Sequence, residues 1–449
     1  MWDTHASVNV LYLHQHFATR KGGGGTRSWE FARHLHGRGH QVTMVAQRRR
    51  AGGISEPGRY DLDGVKVILL GGYYTNHLKM WRRMMTFLRY TIHASFLRNF
   101  PNRPDVVIAS STPLSIGIPG WILARRFGVP FVFEVRDLWP EAPIQLGVLK
   151  GRLLPWLMVK LERFLYRRAD VIIPLSPGME AGVLAEGGAA KKVITIPNAS
   201  DIDLFSPDHR DRDLLVEHGI DPAKFVVVHG GSMGIANGLD YIIDAAIVCK
   251  ERGATDIQFV FAGAGGQEAR LKRIVLDRHL DNVTFLGSVA RKQLGAVVSS
   301  CDVAIASFAD FPVLATNSPN KLFDGLAAGL PCIVNSNGWT RRVIETADAG
   351  AYVEYRDPAQ LADALERLRD DGELRTRQGA NALRLAHEVF ARMRLGARFC
   401  DVIEHAATMR SGGDQGLPAA LRAPLLPESA FEPATNVAAT SGTVVAGRA

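Results

Sequence analysis

The sequence of 449 residues is poor in cysteine, with four thiols at Cys249, Cys301, Cys332 and Cys400. Their separations of 52, 31 and 68 residues match neither the short spacings of a zinc site nor a disulfide framework. We therefore predict reduced thiols, a cytoplasmic protein and no metal site.

Long apolar runs are also scarce. The run 8–13 is too short for a secretory signal. Residues 106–124 carry no charge over 19 positions, but four hydroxyl residues and two prolines interrupt them. We predict a buried strand that leads into a helix there, and no transmembrane segment.

Neither sign of charge dominates, since 53 basic and 45 acidic residues give a net charge of +8. Apolar residues make up 47% and charged residues 22%, which is ordinary for a globular protein. A chain of this length accommodates two or three domains.

What the sequence does contain is a repeated alternation of short β-branched runs with helical patterns, which predicts an α/β protein with parallel sheets. The pattern breaks at residues 197–210 and then restarts, so we predict one Rossmann-like domain at 1–200 and a second at 201–389. A C-terminal helix at 390–410 and a disordered tail at 411–449 follow. The predicted strands are 9–13, 41–46, 66–70, 105–109, 130–134, 171–174, 225–230, 257–262, 283–286, 303–307, 331–334 and 351–354.

Two α/β halves of similar size predict a cleft, and ligands of such sheets bind beyond the carboxyl ends of the strands. Two glycine clusters lie there: residues 21–27, with Gly23 and Gly24, and residues 230–234, with Gly231 and Ser232. Glycine lets a backbone approach a phosphate or sugar closely, and the helix predicted at 26–38 would favour an anion at its start. A plain flexible loop is the alternative. Neither cluster fits the dinucleotide fingerprint, which disfavours a nicotinamide enzyme.

Residues 318–324 form the most informative segment. Ser318 is predicted to cap a helix whose first residue is Pro319. Lys321 then lies in the first turn, where the helix dipole disfavours a cation unless a diphosphate lies beside it. Asp324, one turn further on, is a candidate for binding ribose hydroxyls. A capped helix with a solvent-facing lysine is the alternative.

Residues 133–141 place Arg136 and Asp137, with Glu134 and Glu141, at the end of a buried strand beside Trp139. This density of ionisable groups indicates a site rather than a solvated face. A structural pair of Arg136 and Asp137 remains the alternative.

Two segments, 76–103 and 147–168, hold twelve basic residues and one acidic residue. Basic helices with interleaved aromatics suit an anionic membrane surface. Solvated arginines with core-facing aromatics are the alternative, and nucleic acid is disfavoured because no recognised motif accompanies the charge. The aromatics are Trp81, Phe87, Tyr90, Phe96, Trp156, Phe164 and Tyr166.

The ordered set of these segments resembles the family 4 glycosyltransferases of the GT-B fold, in particular the bacterial branch that builds exopolysaccharide, capsule and O-antigen repeats. The resemblance covers residues 8–405. The segments that carry it are 22–27, 39–42, 134–141, 169–171, 196–198, 230–238, 285–287 and 319–329 with Pro331.

The resemblance implies two Rossmann-like domains facing each other across a cleft, with the C-terminal helix returning to the first domain. It also implies that the domain at 1–200 binds the acceptor and that the domain at 201–389 binds the nucleotide-sugar donor. It implies sugar transfer with retention from a UDP- or GDP-type nucleotide sugar, with no metal and no further cofactor. The acceptor would be a polyprenyl-diphosphate-linked saccharide, which places the protein peripherally on the inner face of the cell membrane.

By the same resemblance, Gly287 and Val289 lie near the base and Asp324 lies near the ribose. Lys321, Asn320 and Ser232 would lie near the diphosphate, and the Gly23 and Gly24 amides would also lie against the donor. Gly231 and Asn237 complete the predicted donor-binding residues. Arg136 and Asp137 would meet the reacting sugar, so that the catalytic candidates are Asp137, Arg136 and Lys321.

The chain departs from many relatives at two pairs of positions. Two glutamates eight apart are replaced by Thr316 and Asp324, and an arginine and a lysine are replaced by Ser232 and Asn237. These departures shift neutralisation of the diphosphate toward Lys321. They also leave open a non-catalytic nucleotide-sugar-binding protein. A nucleotide-sugar 2-epimerase of the same fold, which needs only one substrate, is a further alternative.

Overall fold

The computed structural model describes residues 7–20, 25–49, 56–74, 80–149, 151–413 and 415–425. The predicted α/β organisation is confirmed, since the described residues form two domains, each built on a mostly or wholly parallel sheet. Strand β1 has the bounds predicted for it, and most other strands begin or end within two residues of the predicted positions.

The first sheet has seven strands in the order β3-β4-β2-β1-β5-β6-β7. All its pairs are parallel except that of β3 with β4. Sequence analysis missed β3, an edge strand of alternating exposure in which Arg59 and Asp61 face outward. The strands are β1 (Asn9–Leu13), β2 (Gln41–Arg49), β3 (Gly58–Leu62), β4 (Val65–Tyr74), β5 (Val106–Ser110), β6 (Phe131–Val135) and β7 (Val171–Pro174).

Helices cover both faces of this sheet, as the continuous apolar runs of its central strands require. The charge-free stretch at 106–124 forms β5, a 3-10 turn and part of α3, as predicted. No helix among the described residues is long and apolar enough to span a membrane. The helices are α1 (Arg27–Gly37), α2 (Met80–Ser95), α3 (Gly117–Phe127), α4 (Glu141–Gln145), α5 (Leu153–Arg168) and α6 (Pro177–Ala185).

The second sheet has six parallel strands in the order β10-β9-β8-β11-β12-β13. The strands are β8 (Phe225–Gly230), β9 (Ile257–Ala262), β10 (Val283–Gly287), β11 (Val303–Ala306), β12 (Cys332–Val334) and β13 (Gly350–Tyr352). The helices are α7 (Asp213–Glu217), α8 (Asp240–Glu251), α9 (Glu268–Asp277), α10 (Arg291–Ser299), α11 (Asn320–Ala327), α12 (Trp339–Thr346), α13 (Pro358–Asp370) and α14 (Gly372–Glu388).

The chain crosses between the domains twice, and the two crossings pair as a parallel bridge between Ser200 and Ala391. The second crossing leads into α15 (Arg392–Thr408), which packs on the first domain through Phe399, Val402 and Ile403. The C-terminal helix thus returns to the first domain, as the resemblance implies.

The prediction of a disordered tail is wrong for residues 411–413 and 415–425. Leu417 is buried in the core of the first domain, and its amide donates to the carbonyl of Lys191 at 2.7 Å. A short helix, α16 (Ala419–Arg422), follows. Contacts with distant parts of the chain order this segment, and such contacts leave no periodicity in the sequence.

Candidate functional site

The two domains meet at Gly25, two residues before α1. A Cβ at this position would lie 3.3 Å from Arg136 Nη2 and 3.3 Å from Asn320 Nδ2. The structure therefore brings together three predicted site segments: the first glycine loop, the end of β6 and the start of α11. Gly23 and Gly24 lie outside the described residues.

Arg136 is held by a histidine that sequence analysis did not single out. Arg136 Nη1 lies 2.9 Å from His14 Nε2, and His14 Nδ1 lies 2.6 Å from Ser28 Oγ. Because a guanidinium only donates, His14 Nε2 must accept and its proton must reside on Nδ1. The neutral imidazole thus orients Arg136 and links it to the first turn of α1.

Asp137 follows Arg136 and lies beside Thr112, whose hydroxyl donates to Asp137 Oδ2 at 3.1 Å. Burial raises the pKa of Asp137, although Arg136 and the Thr112 hydrogen bond oppose the shift. The alternative of a structural ion pair is not observed, because Arg136 bonds to His14 and, among the described contacts, does not pair with Asp137.

Beneath these groups lies a buried ion pair. Arg27 Nε donates to Glu134 Oε1 at 2.7 Å, and both side chains are almost fully buried. Glu134 also accepts from Tyr12 at 3.1 Å, while Arg27 donates to the carbonyls of Ile196 and Pro197. Burial alone would raise the pKa of Glu134, but Arg27 and Arg136 outweigh it and lower that pKa. The pair therefore ties α1, β6 and the first crossing together.

On the second domain, three predicted donor-binding residues form one connected group. Lys321 Nζ donates to Asn237 Oδ1 and, at 3.0 Å, to the carbonyl of Ser307. Asn237 Nδ2 in turn donates to Ser232 O at 2.8 Å. Burial lowers the pKa of Lys321 to about 7. No carboxylate among the described residues pairs with this lysine.

His229, at the end of β8, is a further neighbour that sequence analysis missed. A Cβ on Gly231 would lie 3.7 Å from His229 Nε2 and 3.7 Å from Lys321 Cε. Burial and the charge of Lys321 lower the pKa of His229 well below its ordinary value. His229 is therefore neutral, and the protonated form of Lys321 is the cation of this group.

The glycine loops of the second domain approach each other closely. A Cβ on Gly263 would lie 1.9 Å from the carbonyl oxygen of Gly231, and the Gly263 amide donates to the Gly287 carbonyl at 2.7 Å. Gly287 has φ +68°, a conformation that favours glycine. Val289 is half-buried two residues further on. The role of Gly287 and Val289 near a base stays a prediction.

Asp324 is engaged by an arginine that sequence analysis did not identify. Arg291 donates to both oxygens of Asp324, at 2.7 and 2.6 Å, and also to Asp201. Asp201 binds Arg392 as well, so the network reaches both crossings. The two arginines outweigh burial and lower the pKa of Asp201. Asp324 is buried, so this geometry does not favour the predicted ribose contact.

The predicted cap of α11 is displaced by one residue. The helix begins at Asn320 and Pro319 takes the capping position. The Ser318 hydroxyl accepts instead from the Asn198 amide at 3.0 Å. Lys321 remains in the first turn, so the reasoning about the helix dipole is unaffected.

An apolar contact closes one side of the cleft. Leu138 and Ala142 of the first domain pack against Val313 and Leu314 of the second, and Val313 N donates to Gln145 Oε1 at 3.0 Å. Thr316, one of the departures, takes part in the same interface. A Cβ on Gly178 would lie 2.9 Å from Thr316 Cγ2. Thr316 therefore packs between the two domains.

A sequence signal could have identified only some of the site residues that sequence analysis missed. His14 and His229 each lie at or directly after the end of a strand, the position searched for in the other segments. Arg27 lay within the quoted glycine loop, but nothing in that loop indicates its partner Glu134. Arg291 has no local signal, because its partners lie 33 and 90 residues away.

Comparison with known proteins finds two family matches in order along the chain. Residues 22–199 match the family described as Glycosyl transferase 4-like domain, and residues 211–384 match Glycosyl transferases group 1. Probable glycosyltransferase WbjE of Pseudomonas aeruginosa is 23% identical over 59% of this chain and 66% of its own length. The putative colanic acid biosynthesis glycosyl transferase WcaI of Escherichia coli K12 is 26% identical over 53% of this chain and 59% of its own length.

The crystal structure of Anabaena HepE in complex with UDP-glucose superposes with a TM-score of 0.65 at 17% identity, over 89% of this chain and 100% of that one. At this identity the likeness shows the fold. The two family matches, in order along the chain, and the two-sheet architecture together identify the chain as a member of the family 4 glycosyltransferases of GT-B type.

Proposed function

We propose that the chain transfers a sugar, with retention and without a metal, from a nucleotide-diphosphate sugar to a saccharide linked to polyprenyl diphosphate. The observation that carries the proposal is Lys321, a cation in the cleft without a carboxylate partner among the described residues. Departure of the nucleoside diphosphate develops negative charge, which Lys321 and the amides at the start of α11 are placed to stabilise.

Arg136 and Asp137 supply the opposite wall of the cleft. Gly25 connects the walls, since it lies beside both Arg136 and Asn320. In this arrangement Lys321, Asn320, Ser232 and Asn237 contact the diphosphate, and Asp137 contacts the reacting sugar or the acceptor hydroxyl. We assign no covalent nucleophile. The structure of HepE with UDP-glucose supports a UDP-type donor, and the name of WcaI supports a polysaccharide precursor as acceptor.

The acceptor would be reached at a membrane surface formed by α2 and α5. Exposed apolar side chains recur along α2 and just beyond it at helical spacing, at Met85, Leu88, Ile92 and Phe96, with 47–75% of each exposed. On α5, Leu153 and Trp156 are 69% and 56% exposed. Apolar groups beside basic ones suit an anionic lipid surface.

The aromatic residues of these helices divide between the two predicted roles. Phe87, Tyr90 and Tyr166 belong to the core, as the alternative of core-facing aromatics held. Phe96 and Trp156 are exposed and available to a surface. Lys79 and Lys150 lie outside the described residues. The proposed surface is therefore smaller than the sequence indicated and consists mainly of aliphatic side chains with a few aromatics.

The first test is a thermal-shift screen with UDP- and GDP-sugars, because a ligand of the folded state raises the melting midpoint. The stabilising donor is then incubated with and without a polyprenyl-diphosphate-linked saccharide, with and without EDTA. Acceptor-dependent transfer that resists EDTA and retains the anomeric configuration, read by NMR, is expected. Conversion of the donor without acceptor would indicate an epimerase, and binding without turnover would indicate a non-catalytic protein.

A further inference from the structure

A cavity of about 440 Å³, separate from the cleft, lies at the domain crossings. Its walls come from three parts of the chain. Ile194 and Pro197 belong to the first domain, Trp339 and Phe390 belong to the second, and Arg398 of α15 and Arg422 of α16 complete the lining. The volume falls within the range of small-molecule sites, roughly 300–1,000 Å³. None of the cleft residues Lys321, Arg136 and Asp137 lines this cavity.

Most of these walls are apolar, but Arg398 brings a cation whose bonding is incomplete. Its Nη2 donates to the carbonyls of Leu421 at 3.0 Å and Ala423, which holds the tail in place as a wall. Its Nε is buried and has no hydrogen-bond partner in the described structure. The two carbonyls use two of the five N–H donors of this guanidinium, so its charge and further donors remain for an anion in the cavity.

The charges around Arg398 do not neutralise it. Burial lowers the pKa of Arg398 and Asp401 opposes this, but Asp401 is already paired with Arg38. One carboxylate, Glu180, also lines the cavity and accepts from Thr195 Oγ1 at 2.6 Å. Two arginines against one glutamate leave a net positive lining. The rim residue Arg422 is exposed and donates through Nε to the Leu417 carbonyl.

The cavity shares structural segments with the cleft. The carbonyl of Pro197 accepts from Arg27, and the neighbouring Asn198 amide donates to Ser318 Oγ, next to the start of α11. Trp339 Nε1 donates to the Asn317 carbonyl at 2.8 Å. An occupant of the cavity would thus touch both domains at the point where the chain passes between them.

We propose that this cavity is a second binding site, separate from the cleft, for a small amphipathic anion with an acidic group for Arg398 and Arg422 and an apolar ring for Trp339 and Phe390. The site goes beyond sugar transfer and does not depend on it. Its position at both crossings makes the relative placement of the domains the property that an occupant would influence.

The test uses the full chain and the probe 8-anilinonaphthalene-1-sulfonate, an aromatic anion, with uncharged N-phenyl-1-naphthylamine as its neutral counterpart. Fluorescence titrations compare the wild type with Arg422→Glu and with the matched control Arg394→Glu, an exposed arginine on α15. Both variants change the net charge equally. Arg398→Gln is measured alongside, with its thermal midpoint as a check on folding.

We expect one saturable site for the anionic probe, weaker binding of the neutral probe, and about tenfold loss of affinity in Arg422→Glu and in Arg398→Gln, as for the loss of one hydrogen bond to a charged group. Arg394→Glu should bind as the wild type does. Equal loss in Arg422→Glu and Arg394→Glu, or equal affinity for the two probes, would overturn the proposal. No donor or acceptor is present, so the result is independent of the proposed transferase activity.

Discussion

The two domains differ in where they place basic charge. In the cleft, the first domain pairs Arg27 with Glu134 and directs Arg136 onto His14, while its outer helices α2 and α5 are rich in arginine and lysine. The second domain does the reverse. Its outer surface carries ion pairs, among them Arg270–Asp240 and Arg369–Asp256, whereas Lys321 in the cleft has no acid among its described contacts.

This contrast separates two kinds of partner. An under-compensated lysine inside a cleft is suited to a small anion, because low polarity strengthens its attraction for charge. A basic, partly apolar outer face suits an extended surface, where many weak contacts add up. The Arg27–Glu134 pair of the first domain joins structural elements, whereas Lys321 of the second domain is the group that we propose binds the donor.

The largest expected effect is on stability, from Arg27→Met. Removing one partner of a buried ion pair leaves the Glu134 carboxylate uncompensated, at a cost of about 3–5 kcal/mol. Urea unfolding followed by tryptophan fluorescence measures the change. Lys321→Met is the matched comparison in the second domain, and its free energy of unfolding should be unchanged or higher. Equal destabilisation in both variants would contradict the contrast between the domains.

The next effect is on catalysis, from Asp137→Asn. This substitution keeps the side-chain shape and removes the charge at the end of β6, so transfer should fall by about 100-fold, or ~2.7 kcal/mol, with little change in stability. Steady-state kinetics and thermal midpoints are compared with those of Glu141→Gln, an exposed acid on the following helix. Loss of stability in proportion to activity would assign Asp137 to the fold.

Lys321→Met should weaken donor binding and slow transfer by at least about tenfold, or ~1.4 kcal/mol, because the diphosphate loses its principal cation. Donor affinity is read by calorimetry and transfer by product formation. Lys292→Met, an exposed lysine on α10, removes the same charge outside the cleft and should leave both unchanged. Wild-type kinetics in Lys321→Met would refute the role of this lysine.

The pH dependence of donor binding gives an effect of similar size. Burial holds the pKa of Lys321 at about 7, below its ordinary value of 10.5. Only the protonated lysine attracts the diphosphate, so donor affinity should be highest below pH 7 and about tenfold weaker at pH 8 than at pH 6. A nucleotide sugar is the appropriate ligand, since its diphosphate lacks the terminal phosphate group that titrates near pH 6.

As the pH rises, the free energy of unfolding should change in the opposite direction to the donor affinity. Between the folded and unfolded pKa values of Lys321, roughly pH 7 to 10.5, the unfolded chain binds more protons. The wild type should therefore gain stability relative to Lys321→Met as the pH rises through this window. A donor affinity that is flat from pH 6 to pH 8 would contradict the coupling of donor binding to the protonation of Lys321.

The strands were predictable from sequence because their β-branched apolar runs are continuous, as in β5, β6 and β8, which lie in the buried centre of each sheet. The proximity of Ser232, Asn237 and Lys321 was also predictable from the sequence. These residues follow or face strand ends, and parallel strands bring such ends to one edge of a sheet.

The partners of buried charges were not predictable. His14 and Arg136 are 122 residues apart, and the sequence contains many basic residues that could have bound Asp324 instead of Arg291. Ser318 shows the same limit at short range. Serine is a suitable residue type for a helix cap, but the Ser318 hydroxyl accepts a hydrogen bond from the backbone amide of Asn198 at the domain crossing instead.

The smallest expected effect concerns the outer face of the first domain. Arg89 on α2 is exposed beside the exposed apolar side chain of Leu88, and one cation at an anionic leaflet contributes about 1 kcal/mol. Arg89→Gln should therefore weaken binding to phosphatidylglycerol vesicles about fivefold at low salt, and rising salt should release the protein by screening these charges.

Arg273→Gln, an exposed arginine on α9 of the second domain, removes the same charge and should have no effect. Sedimentation with vesicles measures both variants. Equal losses would mean that net charge alone governs attachment, and no preference for anionic over neutral vesicles would leave the first domain without the surface partner that its exposed side chains indicate.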